Sequence, residues 1–460
     1  MTDCRTEKDF LGALDVPRDA YWGIHTERAR RNFRISSLTV HPALIRALAR
    51  VKQACCLANA ATGSLSPEKA AAIGKACDEI AAGEFADQFP LDALQGGAGT
   101  STNMNLNEVL ANRAIELLGG EKGDYAIVSP LGDVNRHQST NDVYPTAVKI
   151  AAIRGLRDLA SVAAALQGAF QEKEKEFAPI VKMGRTELQD AVPITLGAEF
   201  SAFAEAIGRD RWRTFKCEER LRVVNLGGTA VGTGLTAPRD YIFLVIEKLR
   251  EITGLGLSRG ENLMGETANA DVFVEVSGIL KAHAVNLIKI AGDLRQMNFL
   301  GEIHLPRMQT GSSIMPGKVN PVGMEAAIQA GVKVIANDAI VAEAASRGTF
   351  QISEFLPLLA VALLESLELL AAIDKLLTDQ VKNLIADPQR CGEFVDKSPS
   401  IITALLPAVG YEQAAALAAE FAAGPEKSMR TFLIQKLGAD PVERYLSPSA
   451  LTALGYKNRG

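Results

Sequence analysis

The sequence predicts an all-α (mainly helical) chain, with a central bundle of long helices flanked by smaller N- and C-terminal helical domains. Three observations carry this: apolar residues recur every three or four positions over long stretches, β-branched alternation is scarce, and the breaks are of the kind that start and stop helices. From Pro145 to about Phe177, Ile150, Ile153, Leu156, Leu159, Val162, Leu166 and Phe170 fall on one stripe of a single helix. A helix of that length needs long partners. Alanine- and leucine-rich candidates follow at about 190–222, 237–253, 268–298, 321–347 and 354–384. The central bundle is therefore read as residues 139–389.

Residues 1–138 read as an N-terminal domain of shorter helices, one of them bounded by Ser66 as N-cap, Pro67 at the first helical position and Gly83 just past the end. After Asp387-Pro388 the periodicity shortens again, with small helices expected around 400–406, 411–422 and 427–437. These make a small C-terminal helical domain over 390–460.

The chain has 460 residues, and its 47% hydrophobic content can fill substantial cores. A net charge of -5 provides no overall basic field, so neither nucleic acid nor an anionic membrane surface is an expected partner. The six cysteines (Cys4, Cys55, Cys56, Cys77, Cys217, Cys391) form no CxxC pair and read as reduced thiols of a cytoplasmic protein. The charged start, MTDCRTEKDF, has no apolar signal core. The most apolar run, LPLLAVALLESLELLAAI, carries Glu365 and Glu368 and reads as a core helix rather than a membrane span. The five histidines are scattered and form no HExxH, so no metal site is expected.

Four polar segments interrupt the helical background: GGAGTSTNMNLNE (96–108), HQSTND (137–142), GRTELQD (184–190) and GSSIMPGKVNP (311–321). Each has a plain structural reading. Ser139, Thr140, Asn141 or Asp142 could cap the helix expected near Pro145, Thr100 or Ser101 could cap the next helix, and Asn320 before Pro321 is an ordinary helix start. A cap needs one oxygen, however, and these segments supply clusters of hydroxyls and amides without nearby acidic metal ligands. Such groups at helix N-termini form an anion site, and Lys318 adds a full positive charge beside one of them. The expected ligand is a small polycarboxylate. GGTAVGTG (227–234) lacks a following GK[ST], so it reads as a packing element or pocket wall rather than a phosphate loop.

GSSIMPGKVNP is similar to the signature segment of the aspartase/fumarase superfamily, and the resemblance extends over almost the whole chain. DVPRDAYWGIHTERARRNF, GGAGTSTNMNLNEVLANRA and QSTNDVYPTA resemble the aspartate ammonia-lyase branch more than the class II fumarases, which show GAQT, SGSGTQ and QSSND at the corresponding places. The resemblance implies α,β-elimination on a succinyl-type substrate to give fumarate, with no organic cofactor. It also implies a homotetramer whose active sites each draw on three subunits. Ser312 is then the base, Thr100, Ser139, Thr140 and Ser313 lie about the β-carboxylate, and Ser101 is a further substrate-binding residue. Thr186, Lys318 and Asn320 hold the α-carboxylate, and the leaving amine faces Asn141 and residue 187.

Two departures from the pattern stand out. Where relatives carry histidine or glutamine this chain has Glu187, whose expected acidic partner in histidine-bearing relatives corresponds to Glu325. Glu187 either orients an amine leaving group or serves as a protonated hydrogen-bonding substitute. The segment DLRQMNFLGEIHLP also lacks the SGPR-like turn of relatives, so the loop near 297–301 is short. The readings are a lyase of L-aspartate, a lyase of an N-substituted aspartate, a fumarate hydratase, or a catalytically silent structural homologue.

Overall fold

The computed structural model describes residues 3–451 and 453–455. Sixteen helices account for most of the described residues, and the sheets are four two-stranded pairs. The chain opens with an antiparallel hairpin, β1 (Cys4–Asp9) and β2 (Gly12–Pro17). Helices α1 (Ile24–Asn32), α2 (Pro42–Ala61), α3 (Pro67–Ala82) and α4 (Thr100–Leu117) follow. Helix α3 starts and stops as the sequence requires: Ser66 Oγ accepts from Lys69 N, and Gly83 takes a left-handed φ of 99°.

The long helices are α5 (Thr140–Glu176), α6 (Leu196–Leu221), α9 (Asp271–Leu300), α10 (Val322–Ser346) and α11 (Leu356–Asn383). Between α6 and α9 lie α7 (Arg239–Thr253) and α8 (Leu263–Ala268). The C-terminal helices are α12 (Pro388–Lys397), α13 (Leu406–Ala423, kinked at Gly410), α14 (Met429–Leu437), α15 (Ala439–Tyr445) and α16 (Pro448–Leu451). The helix expected over 400–406 is a tighter 3₁₀ turn, Pro399–Leu405.

The expected helix from 190 is corrected. Residues Val181–Thr186 and Gln189–Thr195 form a second hairpin, β3 and β4, and α6 begins only at Leu196. Two-residue hairpin turns need positive φ at both central positions, normally met by Asn or Gly. Here Glu187 and Leu188 adopt φ of 52° and 61°, so the turn carries no glycine signal to read.

Two compact units emerge. The first comprises residues up to Leu159, Arg213–Ala282 and Lys333–Leu370; the second comprises Ala160–Trp212, His283–Val332 and residues from Ala371 on. In the first, α2 packs on α3 and α7, and the core includes Leu44, Leu48, Ile73, Ile80, Leu106 and Leu249. Gly155 of α5 lies so close to Leu367 of α11 that a Cβ would meet its side chain at 3.0 Å. In the second, Phe170, Phe177, Phe200 and Phe203 form an edge-to-face aromatic cluster, and Met183 joins Val395, Leu405, Met429 and Leu433 in a separate core. Helix α11 is long and apolar enough to cross a membrane, yet 61% of its most apolar window is buried within the protein.

Candidate active site

In the first unit the site is built around the start of α5. The amide of Asn141 donates to Ser139 Oγ at 3.2 Å, and that of Ser139 donates to Asp142 Oδ1 at 3.0 Å. This reciprocal cap starts the helix at Thr140 rather than near Pro145. Pro145 sits inside the helix and has no N–H for the carbonyl of Asn141 four residues back. That carbonyl accepts instead from Asn225 Nδ2 at 2.9 Å.

The proline thereby recruits the glycine-rich loop. Asp142 Oδ2 accepts from the amides of Gly227 and Thr229 at 3.1 and 3.0 Å, and Asn141 Nδ2 donates to Ala230 O at 2.8 Å. The GGTAVGTG segment is a wall beside Asn141, as its lack of a phosphate-loop lysine suggested. With its Nδ2 committed, Asn141 presents Oδ1, an acceptor suited to an ammonium group. Burial pushes the Asp142 carboxyl up to about 6, against the amides of Ser139, Thr229 and Gly227, which favour the ionised form.

Thr100 and Ser101 open α4, but neither caps it. Gly99, with a φ of 92°, occupies the cap position, and Gln95 Oε1 accepts from Thr102 N at 2.9 Å. The Thr100 hydroxyl donates to Gly97 O at 2.7 Å and is exposed. A Cβ on Gly99 would lie 2.5 Å from the Tyr144 ring, so this approach of α4 to α5 requires glycine.

Beneath Thr140 lies a buried amide network. Lys52 Nζ donates to Asn135 Oδ1 and Gln138 Oε1, both at 2.8 Å. Asn103 Nδ2 donates to Asn135 Oδ1 at 3.3 Å and to Thr140 Oγ1 at 3.1 Å, and Asn107 Nδ2 reaches Asn135 Oδ1 at 3.2 Å. Lys52 and Asn107 are 0% exposed.

In the second unit Thr186 and Gln189 close the β3–β4 hairpin, and Glu187 and Leu188 form its exposed tip. Glu187 lines a cavity of ≈ 340 Å³ together with Arg185, Leu188, Lys289, Gln296, Met297 and Leu300. Residue 187 and the segment near 297–301, both singled out in the sequence, therefore meet at one cavity. Without an intervening turn, α9 runs through to Leu300 and reverses at Gly301 with a φ of 80°, which makes its last turn a cavity wall.

The segment 311–321 is a loop closed on itself. Gly311 N donates to Lys318 O at 2.7 Å, and Asn320 Nδ2 donates to Gly311 O at 3.0 Å. Ser312 Oγ accepts from the amides of Ile314 and Met315 at 3.2 and 2.9 Å. Ser313 and Lys318 are exposed. Asn320 does not cap α10, which begins at Val322; its amide ties the loop shut instead. Glu325, in the first turn of α10, pairs with Arg295 at 3.5 Å.

The sequence-derived site residues thus fall into two sets. Ser139, Thr140 and Asn141 are brought together in the first unit, as are Ser312, Ser313, Lys318 and Asn320 in the second. Sequence reasoning missed Lys52, Gln95, Asn103, Asn107, Asp142 as an anchor, and Asn225. Two signals were available: a lysine at helical spacing from Leu48, Cys55 and Cys56, and asparagines four apart in NMNLN, which share one helix face. Among the described residues, no group of three or more His, Cys, Asp or Glu side chains could hold a metal ion.

Comparison with known proteins places the chain in a family. A family described as Lyase matches residues 12–336. An aspartate ammonia-lyase from Bacillus sp is 45% identical, covering 100% of this chain and 99% of the relative. An aspartate ammonia-lyase from Pseudomonas aeruginosa is 47% identical, covering 91% of this chain and 90% of the relative. Among solved structures, the fumarate lyase:delta crystallin from Brucella melitensis bound to cobalt superposes with a TM-score of 0.92 at 45% identity, covering 97% of this chain and 100% of that one. The recombinant class II fumarase from Schistosoma mansoni gives 0.89 at 30% identity, over 96% of this chain and 99% of that one. With full-length relatives at this identity and the family match across more than half its length, the chain belongs to the aspartase/fumarase superfamily of lyases.

Proposed function

We propose that the chain is a carbon–nitrogen lyase catalysing the reversible elimination of ammonia from L-aspartate to give fumarate. Ser312 takes the proton from the carbon beside the β-carboxylate. The electron pair moves into that carboxylate to give a dianionic aci-carboxylate, whose collapse expels the amine from the adjacent carbon as neutral ammonia. Ser139, Thr140 and Ser313 donate to the developing charge, joined by Thr100 once its hydroxyl turns from Gly97 O, and Ser101 lines the substrate site. Thr186, Lys318 and Asn320 hold the α-carboxylate, and Asn141 Oδ1 and Glu187 receive the ammonium.

The observation that carries this reading is the environment of Ser312. A serine is a weak base unless its alkoxide is favoured, and two backbone amides aimed at Oγ within 3.2 Å do that without consuming a side chain. The relatives named aspartate ammonia-lyase support the substrate. Assembly as a homotetramer, with active sites shared between copies, is part of the proposal. It is supported by apolar side chains left exposed on long helices, among them Val285, Val332 and Ile335 at 50%, 55% and 36%. A cytoplasmic location accords with six cysteines that are all free.

A second reading, elimination of a substituted amine from an N-substituted aspartate, is favoured by the cavity beside Glu187. Leu188, Met297 and Leu300 give it apolar walls, and the rest of its lining is polar, with Lys182, Arg185 and Lys289 set among Glu199, Asp293 and Gln296. Fumarate formation should be followed with L-aspartate, L-malate and a panel of N-substituted aspartates. Fumarate from L-aspartate is expected. Fumarate from L-malate alone overturns the proposal, and fumarate mainly from substituted substrates transfers it to the second reading.

A further inference from the structure

We infer that Lys52 is a positioning residue whose ammonium, acting through buried amides, fixes the Thr140 hydroxyl as a hydrogen-bond donor toward the substrate carboxylate. The inference rests on Thr140 belonging to the carboxylate-binding set. It follows from the polarity each contact imposes on the next.

An ammonium only donates. Lys52 Nζ lies 2.8 Å from one atom of Asn135 and one of Gln138, so both amides must present oxygen there. Their other ends agree: Gln138 Nε2 faces the carbonyls of Val134 and Arg136 at 2.9 and 3.2 Å, and Asn135 Nδ2 faces that of Gln138 at 3.3 Å. Asn135 Oδ1 can only accept, so Asn103 and Asn107 must turn their Nδ2 groups toward it. The same Asn103 Nδ2 has a second proton, and that proton goes to Thr140 Oγ1 at 3.1 Å. With a lone pair of Oγ1 occupied from below, the hydroxyl proton is left to donate outward.

The amides do not choose this orientation for themselves. Among the described residues, Asn103 Oδ1 and Asn107 Oδ1 are buried without a partner, so no contact on the oxygen side sets their orientation. The direction is imposed from the root of the chain. Burial lowers Lys52 to about 8, partly offset by Cys55 and Asp142, so the side chain remains an ammonium at neutral pH. The carboxylate donor is thus set before substrate arrives, as electrostatic preorganisation requires.

The test is a kinetic double-mutant cycle on the assembled enzyme with L-aspartate as substrate. Thr140→Val is expected to lower kcat about 100-fold, the scale for loss of one such donor. Lys52→Met is expected to lower kcat about tenfold in the wild-type background but less than about twofold in Thr140→Val, because the group it orients is already gone. Asn103→Leu, which removes the last link and leaves Lys52 in place, is expected to show the same coupling and serves if Lys52→Met does not fold. Additive losses for the folded variants, or no loss from either, overturn the inference while leaving the role of Thr140 intact. Full activity in Thr140→Val instead overturns the assignment of Thr140 to the site.

Discussion

The backbone amide of Met315 points at Ser312 Oγ from 2.9 Å, and both lie inside a loop tied shut by Asn320. A hydroxyl oxygen that already accepts two amide protons can lose its own proton at lower cost, since those donors strengthen as charge develops. The closing contacts and the alkoxide-stabilising contacts belong to the same short segment, so what loosens the loop should weaken the base.

Gly311→Ala tests that coupling. A Cβ there would stand 2.9 Å from Asn320 Cγ and 3.0 Å from its backbone nitrogen, so loop closure must give way. The variant is expected to lose about tenfold or more in kcat with little change in melting temperature, because the loop is largely exposed and contributes little to either core. Steady-state kinetics and thermal unfolding on the same preparation check it.

Glu187→Gln keeps the size of the side chain at the hairpin tip and removes its charge. If Glu187 receives the ammonium, kcat/KM for amino substrates is expected to fall about tenfold or more while the hairpin keeps its φ of 52° at this position. Unchanged kinetics on every amino substrate would assign the residue a purely structural role.

His283 of α9 is clamped in the second unit between Asp210 of α6 at 3.0 Å and Asp374 of α11 at 3.1 Å, at 1% exposure. Burial lowers its pKa, but the Asp374 and Asp210 carboxylates outweigh that and raise it to about 10. The folded state therefore binds a proton that the unfolded chain releases near 6.5. The resulting stabilisation is fully present below that value and is lost as pH rises through about 10. His283→Gln is expected to cost about 3 kcal/mol or more near neutrality. In denaturant titrations its deficit against wild type should shrink as pH rises toward 10.

The apolar side chains exposed on the long helices bear on assembly. Val332→Asp puts a charge on a position that is 55% exposed in one chain, so the isolated fold should tolerate it. In a tetramer whose helices pack together, that charge would be buried without a partner. Light scattering is expected to show a smaller particle, with turnover lost alongside it.

Much of this molecule is legible in its residues because helix boundaries are local chemistry. Ser66, Pro67 and Gly83 bound α3 as written, and the long apolar stripes end within a few residues of the observed α9, α10 and α11. The hairpin at 181–195 was hidden because Glu187 and Leu188 hold a conformation that pairing across β3 and β4 imposes, against their own preference. Pro145 misled in the same way. Its local signal is a helix start, but Asn225, 80 positions later, takes the carbonyl it frees. The clustering of hydroxyls in the 137–142 and 311–321 segments was readable from the residues themselves. Lys52 and Asn103, which orient Thr140, act through buried contacts between distant segments, and no local pattern records which way an amide faces.

The central claim, that Ser312 is the base of an elimination, is tested most directly by fumarate formation from L-aspartate in Ser312→Ala. Turnover is expected to fall by about 1,000-fold or more while the assembly and melting temperature match wild type. Retention of wild-type turnover by a correctly assembled Ser312→Ala enzyme would contradict it.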